Sequence, residues 1–142
     1  MKTLLSRLPI DPDHDPISIS QYMGYSLAAP LSFWSSPQEI KDELTGGCGP
    51  GGTGDIFVPD TMYLLNMKPA CSIHDWCYVV WNTKAGFPLA NNLFKNNMLR
   101  IDRQHAGYHW ISELRKKRIK FYYDAVEFGG GPHYFDAHLK YI

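Results

Sequence analysis

The 142-residue sequence predicts a single, mainly α-helical domain. Three observations carry this. Long apolar-periodic segments cover about Pro69–Asn82, Leu89–Gln104 and Tyr108–Phe128, each bounded by Gly or Pro. The linker Asn82–Pro88 is short enough to make its flanking helices antiparallel neighbours. No segment shows sustained period-2 alternation, which a half-buried strand would need. Hydrophobic residues make up 44% and charged residues 20%, which excludes wholesale disorder.

Taken in order, residues 1–16 read as an irregular lead-in, because the Asp11–Pro16 stretch alternates turn residues with proline. Ile17–Leu31 is apolar and reads as a short helix broken by Gly24 and Pro30. Ser36 is placed to N-cap a helix, with Pro37 at its first position and Glu39 completing a capping box. That helix ends near Leu44. Gly46–Gly54 holds six glycines in nine residues, a tight loop. Residues 55–67 read as irregular. The three main helices follow, and Gly129-Gly130-Gly131-Pro132 stops the last one. Residues 129–142 form an aromatic C-terminal tail expected to pack back.

Composition narrows the function. Lys+Arg and Asp+Glu both count 14, so the chain lacks the basic excess of a phosphate-tracking nucleic-acid binder. No apolar run approaches the ~18 residues of a membrane span. The start has a basic residue and two leucines, but Arg7 and Pro9 cut short any leader core. Cytoplasmic synthesis is the expectation, with any release by a non-classical route. Three cysteines are too few for a disulfide scaffold, and their odd number leaves at least one unpaired within a monomer. The run Arg115-Lys116-Lys117-Arg118-Lys120 reads as a solvated helix face, with anionic-lipid attraction as the minority reading. Met62-Tyr63-Leu64-Leu65 and Leu31-Phe33-Trp34 read as core or as an apolar rim touching a bilayer. The sequence does not set the oligomeric state.

The chemistry-bearing residues fall in one order: Cys48–Gly52, Ala70–Tyr78, then Ala90–Phe94. A glycine-rich loop lets backbone carbonyls converge on one point. Carbonyl and carboxylate oxygens are the ligands Ca²⁺ prefers. His74 and Asp75 are adjacent on a helix and point about 100° apart, so one can face a reacting water while the other faces a metal. His74 and Tyr78 are four apart and share a face. The antiparallel neighbour brings a residue such as Asn91 onto both. His14, His105, His109, His133 and His138 lack such company and read as surface or packing residues.

These motifs resemble the phospholipase A2 superfamily, more its short microbial and viral branches than its disulfide-rich secreted enzymes. Cys48-Gly49-Pro50-Gly51-Gly52 matches a C-G-x-G-G calcium loop. Cys71-Ser72-Ile73-His74-Asp75-Trp76-Cys77-Tyr78 matches a C-x-x-H-D-x-C-Y helix. The match covers about residues 44–105. The resemblance implies a phospholipase A2-like fold: two antiparallel helices carry the histidine and its orienting partner, and further helices lie at each end. It implies a calcium-dependent carboxylic ester hydrolase acting on the sn-2 ester of glycerophospholipids at a membrane surface. By the same resemblance, Ca²⁺ would be held by the carbonyls of Gly47, Gly49 and Gly51 and by the Asp75 carboxylate. His74 would be the general base. The Gly49 N–H and the metal would hold the oxyanion, and Tyr78 would bond to the residue that orients His74. Cys48 would pair with Cys71, leaving Cys77 free.

The sequence departs from the family at one slot. The microbial and viral pattern A-D-x-x-F here reads Ala90-Asn91-Asn92-Leu93-Phe94, so Asn91 replaces the orienting acid. Its oxygen can accept a bond from His74, but it cannot balance an imidazolium charge, and a flipped amide imposes the other tautomer. Asp102 is no substitute, lying roughly 16 Å along the helix from Asn91. Two other classes stand beside the hydrolase. One is a phospholipase-like lipid- or protein-binding module without turnover. The other is a structural zinc module using Cys48, Cys71, His74 and Cys77. Cys71, His74 and Cys77 fan over about 240° of a helix, which suits one metal poorly.

Overall fold

The computed structural model describes residues 8–45, 61–62, 65–105 and 109–129. It is mainly helical, with two short antiparallel hairpins. The elements are β1 (Ile17–Tyr22), β2 (Tyr25–Pro30), α1 (Leu31–Trp34), α2 (Gln38–Leu44), β3 (Thr61–Met62), β4 (Leu65–Asn66), α3 (Lys68–Trp81), α4 (Gly86–Gln104) and α5 (His109–Gly129).

Helix α3 is the centre. Every residue from Pro69 to Trp81 except Asp75 is buried, because its sequence is apolar on all sides. Lys68 and Pro69 open it, where a missing N–H costs nothing. The α4 helix packs against α3 and buries Ala90, Asn91, Leu93, Phe94, Asn97, Met98 and Ile101, a stripe at helical spacing. It begins three residues before the expected Leu89, since Pro88 falls in the first turn, where backbone N–H groups have no intrahelical partner. On the far side of α4 lies α5, which buries Arg115, Ile119 and Val126.

Ile17–Leu31 is not a helix but a β-hairpin followed by the start of α1. Ile17-Ser18-Ile19-Ser20 does alternate with period two, a short signal masked by the apolar run after it. Strands β1 and β2 pair from Ile17↔Pro30 to Tyr22↔Tyr25. The turn between them has φ 50° at Met23 and φ 90° at Gly24, the signs of a type I′ turn, whose twist suits a hairpin. The outer edge of β2 meets side chains rather than a third strand. Asn97 on α4 accepts from the Ala28 N–H at 2.9 Å and donates to the Ala28 carbonyl at 2.8 Å. Gln104 does the same for Ser26, at 2.7 and 2.9 Å. These two carboxamides stand in for a strand's peptide groups and satisfy the backbone that a helix would have satisfied internally.

Three smaller expectations also change. The lead-in contains a 3-10 turn, Pro12–His14, capped by Asp11, and it is tied to α3 by the Ile10 N–H to Val80 carbonyl bond at 2.6 Å. Ser36 does not cap α2. Its hydroxyl donates to the Ser32 carbonyl at 2.7 Å, because α1 supplies an acceptor one turn back, and Pro37 becomes the cap residue. Within 55–67, Thr61↔Asn66 and Met62↔Leu65 form a two-residue ladder.

Met23 occupies a positive-φ position that costs a side-chain-bearing residue about 1 kcal/mol and suits asparagine better. Met23→Asn is therefore expected to stabilise the protein by up to about 1 kcal/mol, or roughly 3 °C in Tm. A thermal melt in which Met23→Asn unfolds earlier than the native chain refutes that account of the turn.

Candidate functional site

The short turn from Trp81 to Gly86 reverses the chain and lays α4 antiparallel on α3. This sets Asn91 opposite one turn of α3. His74 and Tyr78, four residues apart, both reach it. The His74 Nε2 lies 2.8 Å from Asn91 Oδ1, and the Tyr78 hydroxyl donates to the same oxygen at 2.6 Å. With the carboxamide oxygen facing both groups, it is Nε2 that donates to Asn91, and a flipped carboxamide would call for the other tautomer.

Aromatic walls fix the histidine. The Phe94 ring stacks on it at 4.3 Å and 16°, and the Tyr78 ring lies 4.2 Å from it at a tilt. Phe87 stands behind Tyr78. His74 is 7% exposed and Asn91 is fully buried. The amide nitrogen of Asn91 has no hydrogen-bond partner among the described residues. A buried N–H donor left unsatisfied costs about 1–3 kcal/mol, so this slot holds its carboxamide at some expense to stability.

Asp75 is half-buried and is the one residue of α3 beyond Lys68 that is not buried. Of the expected calcium ligands, it alone lies within the described residues. Gly47, Gly49 and Gly51 fall outside them, as do Cys48 and Tyr63 and Leu64, which were expected in the core or at an apolar rim. The half-buried hard carboxylate fits an oxygen-preferring cation. Among the described residues, no three His, Cys, Asp or Glu side chains gather as a metal cluster.

Cys71 is buried and takes part in a disulfide, while Cys77 is a buried free thiol. A disulfide sulfur is not the thiolate that a zinc module would need at Cys71. Burial pushes the Cys77 thiol well above its ordinary 9.0, and the charges of Asp15 and Asp75 add to this. It therefore stays protonated and unreactive.

Several other residues depart from their expected places. Arg115 is not on a solvated face. It is buried against Asp102, 3.3 Å away, because α5 turns it toward α4, and Ser112 also donates to that carboxylate. Asp102 is thus committed elsewhere and takes no part beside His74. Lys116, Lys117, Arg118 and Lys120 are exposed, as expected. Phe33 is core, wedged between Tyr22, Trp34 and Trp76, whereas Leu31 is exposed. His14 and His105 are exposed.

Sequence reasoning overlooked three features. Phe94 was part of a motif, but its stacking on His74 followed only from its position three residues after Asn91. The ammonium of Lys41 lies 4.4 Å from the Phe33 ring centre, and burial holds its pKa below the ordinary 10.5. Asp15 is buried and takes bonds from Ser32 and Trp81. No local pattern announces either of the last two. Neither a family model, nor a curated protein, nor a solved structure matches the chain.

Proposed function

We propose that the chain is a calcium-dependent phospholipase A2-type hydrolase that cleaves the sn-2 ester of glycerophospholipids at a membrane surface. The observation that supports this best is the hydrogen-bonded set His74–Asn91–Tyr78 beside the half-buried Asp75. It leaves Nδ1 of a wall-packed histidine as a base, with a carboxylate one residue away.

In this reading His74 Nδ1 takes a proton from water while Nε2–H stays on Asn91. The resulting hydroxide attacks the ester carbonyl. The protonated His74 then gives its proton to the departing glycerol oxygen, yielding a fatty acid and a lysophospholipid. Asp75, with the carbonyls of Gly47, Gly49 and Gly51, would hold Ca²⁺, and the Gly49 N–H would donate to the oxyanion. Bound there, the ion supplies Lewis-acid stabilisation of the developing negative charge. Phe94 contributes as well, since a cation facing an aromatic ring gains about 0.5–2 kcal/mol. That offsets part of what neutral Asn91 cannot supply. A Cys48–Cys71 bridge would tie the glycine loop to α3, closing about 23 residues for roughly 3–4 kcal/mol.

The neutral Asn91, with its unpartnered amide nitrogen, also favours a second reading of the same site: a lipid- or protein-binding module that does not turn over. One experiment separates the two. Fatty-acid release from mixed phospholipid vesicles is measured with Ca²⁺ and with chelator. The hydrolase releases fatty acid only with Ca²⁺, and His74→Ala lowers release by at least about 10²-fold. Ca²⁺ raises Tm by mass action, and Asp75→Asn abolishes that rise. Release that persists in chelator, or in His74→Ala, overturns the mechanism. Stoichiometric zinc without any Ca²⁺ effect returns the structural module.

A further inference from the structure

Helix α5 buries Arg115, Ile119 and Val126 on one side. At 100° per residue, the opposite side is marked by Lys117, Phe121, Asp124 and Phe128, with Asp124 held by Lys120. Here the helix breaks the usual rule for a solvent face. Phe121 is 63% exposed and Phe128 is 93% exposed. Lys117 makes no ion pair among the described residues. Lys116, Arg118 and Lys120 are exposed around this line. Glu113 lies 3.2 Å from Lys116 and Asp124 2.9 Å from Lys120, and both pairs are solvent-exposed. Such pairs hold little energy and exchange readily for another anion. From Lys116 to Lys120 there is no acidic residue, although the whole chain is neutral.

From this juxtaposition we infer that the outer face of α5 is a docking surface for anionic phospholipid. Lys117 and Phe128 are eleven residues apart, roughly 16 Å along one line of the helix. A straight helix touches a flat surface along such a line. Cations at the headgroups and phenylalanines just below them is the arrangement of an interfacial helix. An anionic bilayer answers both chemistries at once: its charge attracts the lysines and its acyl boundary accepts the two rings. The surface lies across α4 from His74, so the inference goes beyond the hydrolase reading and requires no turnover.

The test is co-sedimentation in chelator, which removes calcium-dependent binding at the candidate site. The probes are phosphatidylcholine vesicles with and without phosphatidylserine. The native chain is expected to bind the phosphatidylserine vesicles more tightly and to release them as salt rises. Lys117→Glu is expected to weaken binding about tenfold. Phe121→Ser combined with Phe128→Ser is expected to do so by at least about tenfold. All three positions are exposed, so Tm should not move. Equal binding by the variants, or no preference for phosphatidylserine, overturns the inference. Concentration-dependent self-association that Phe121→Ser abolishes, without vesicle binding, would make the face a contact between copies and also overturns it. Release from short-chain monomeric phospholipid, measured in parallel with Ca²⁺, separates the two readings. Release without vesicle docking removes the surface and keeps the hydrolase. Docking without release does the reverse.

Discussion

Asn91→Asp is expected to raise calcium-dependent fatty-acid release, by a factor on the order of 10²–10⁴. The upper figure is the loss that the reverse change causes in a serine-protease triad. In the native chain Asn91 Oδ1 receives both Nε2 of His74 and the Tyr78 hydroxyl. The amide nitrogen is left without a partner among the described residues. Flipping the carboxamide would turn its N–H groups to Tyr78 and His74 and strand the oxygen instead. Each orientation leaves one buried polar group unsatisfied, so neither is strongly preferred. The flipped form forces the ring hydrogen onto Nδ1 and removes the base. A carboxylate presents only acceptors, so one tautomer remains. It also stabilises the imidazolium that forms as water loses its proton. The same charge raises the pKa of His74 relative to the native chain. A general base acts when neutral, so the acid limb of the pH–rate profile should move to higher pH in the variant. Nitrogen NMR of the His74 ring should show a larger Nε2–H population. A faster variant whose acid limb stays in place would mean that Asn91 acts by some route other than charge and tautomer. A slower variant would mean that burying a second oxygen beside Tyr78 costs more than the fixed tautomer returns.

What the sequence showed and what it hid divide along sequence separation. His74 and Tyr78 lie one turn apart on a helix, and the short turn leaves α4 no choice but to double back, so their meeting with Asn91 was legible. That one thiol stays free was legible from the odd number of cysteines, and Cys77 is that thiol. The hairpin was not. Its apolar run reads equally as buried helix, and what settles it is Asn97 and Gln104 clasping Ala28 and Ser26 from 69 and 78 residues away. Arg115 carries the same lesson. A run of five basic residues looks like a solvated face, and only the rotation of α5 against α4 turns one of them onto Asp102. The glycine loop was the plainest motif in the sequence, yet it falls outside the described residues.

Asp15→Ala is expected to cost about 3–5 kcal/mol, roughly 10 °C in Tm or more. Asp15 is 3% exposed and holds three donors. The Ser32 N–H reaches Oδ1 at 2.8 Å, and the Ser32 hydroxyl and Trp81 Nε1 reach Oδ2 at 2.7 and 2.9 Å. Trp76 Nε1 in turn donates to the Ser32 hydroxyl at 2.9 Å. One carboxylate thus pins the lead-in and α1 to two tryptophans of the helix that carries His74 and Asp75. Alanine leaves all three donors buried without an acceptor, which is dearer than never having had the bond. Asp15→Asn keeps one acceptor oxygen but turns an N–H₂ group toward donors, so it should fall between alanine and the native chain. Cys77 reports whether α3 has loosened, because its burial keeps the thiol from reacting. Removing the Asp15 charge alone relieves one cause of the raised thiol pKa, and Asp15→Asn isolates that effect. Labelling of Cys77 without denaturant should therefore be slow in the native chain, modestly faster in Asp15→Asn and fastest in Asp15→Ala. If Asp15→Ala melts within about 1 kcal/mol of the native chain and its Cys77 stays closed, water has replaced the carboxylate and the network does not hold α3 in place.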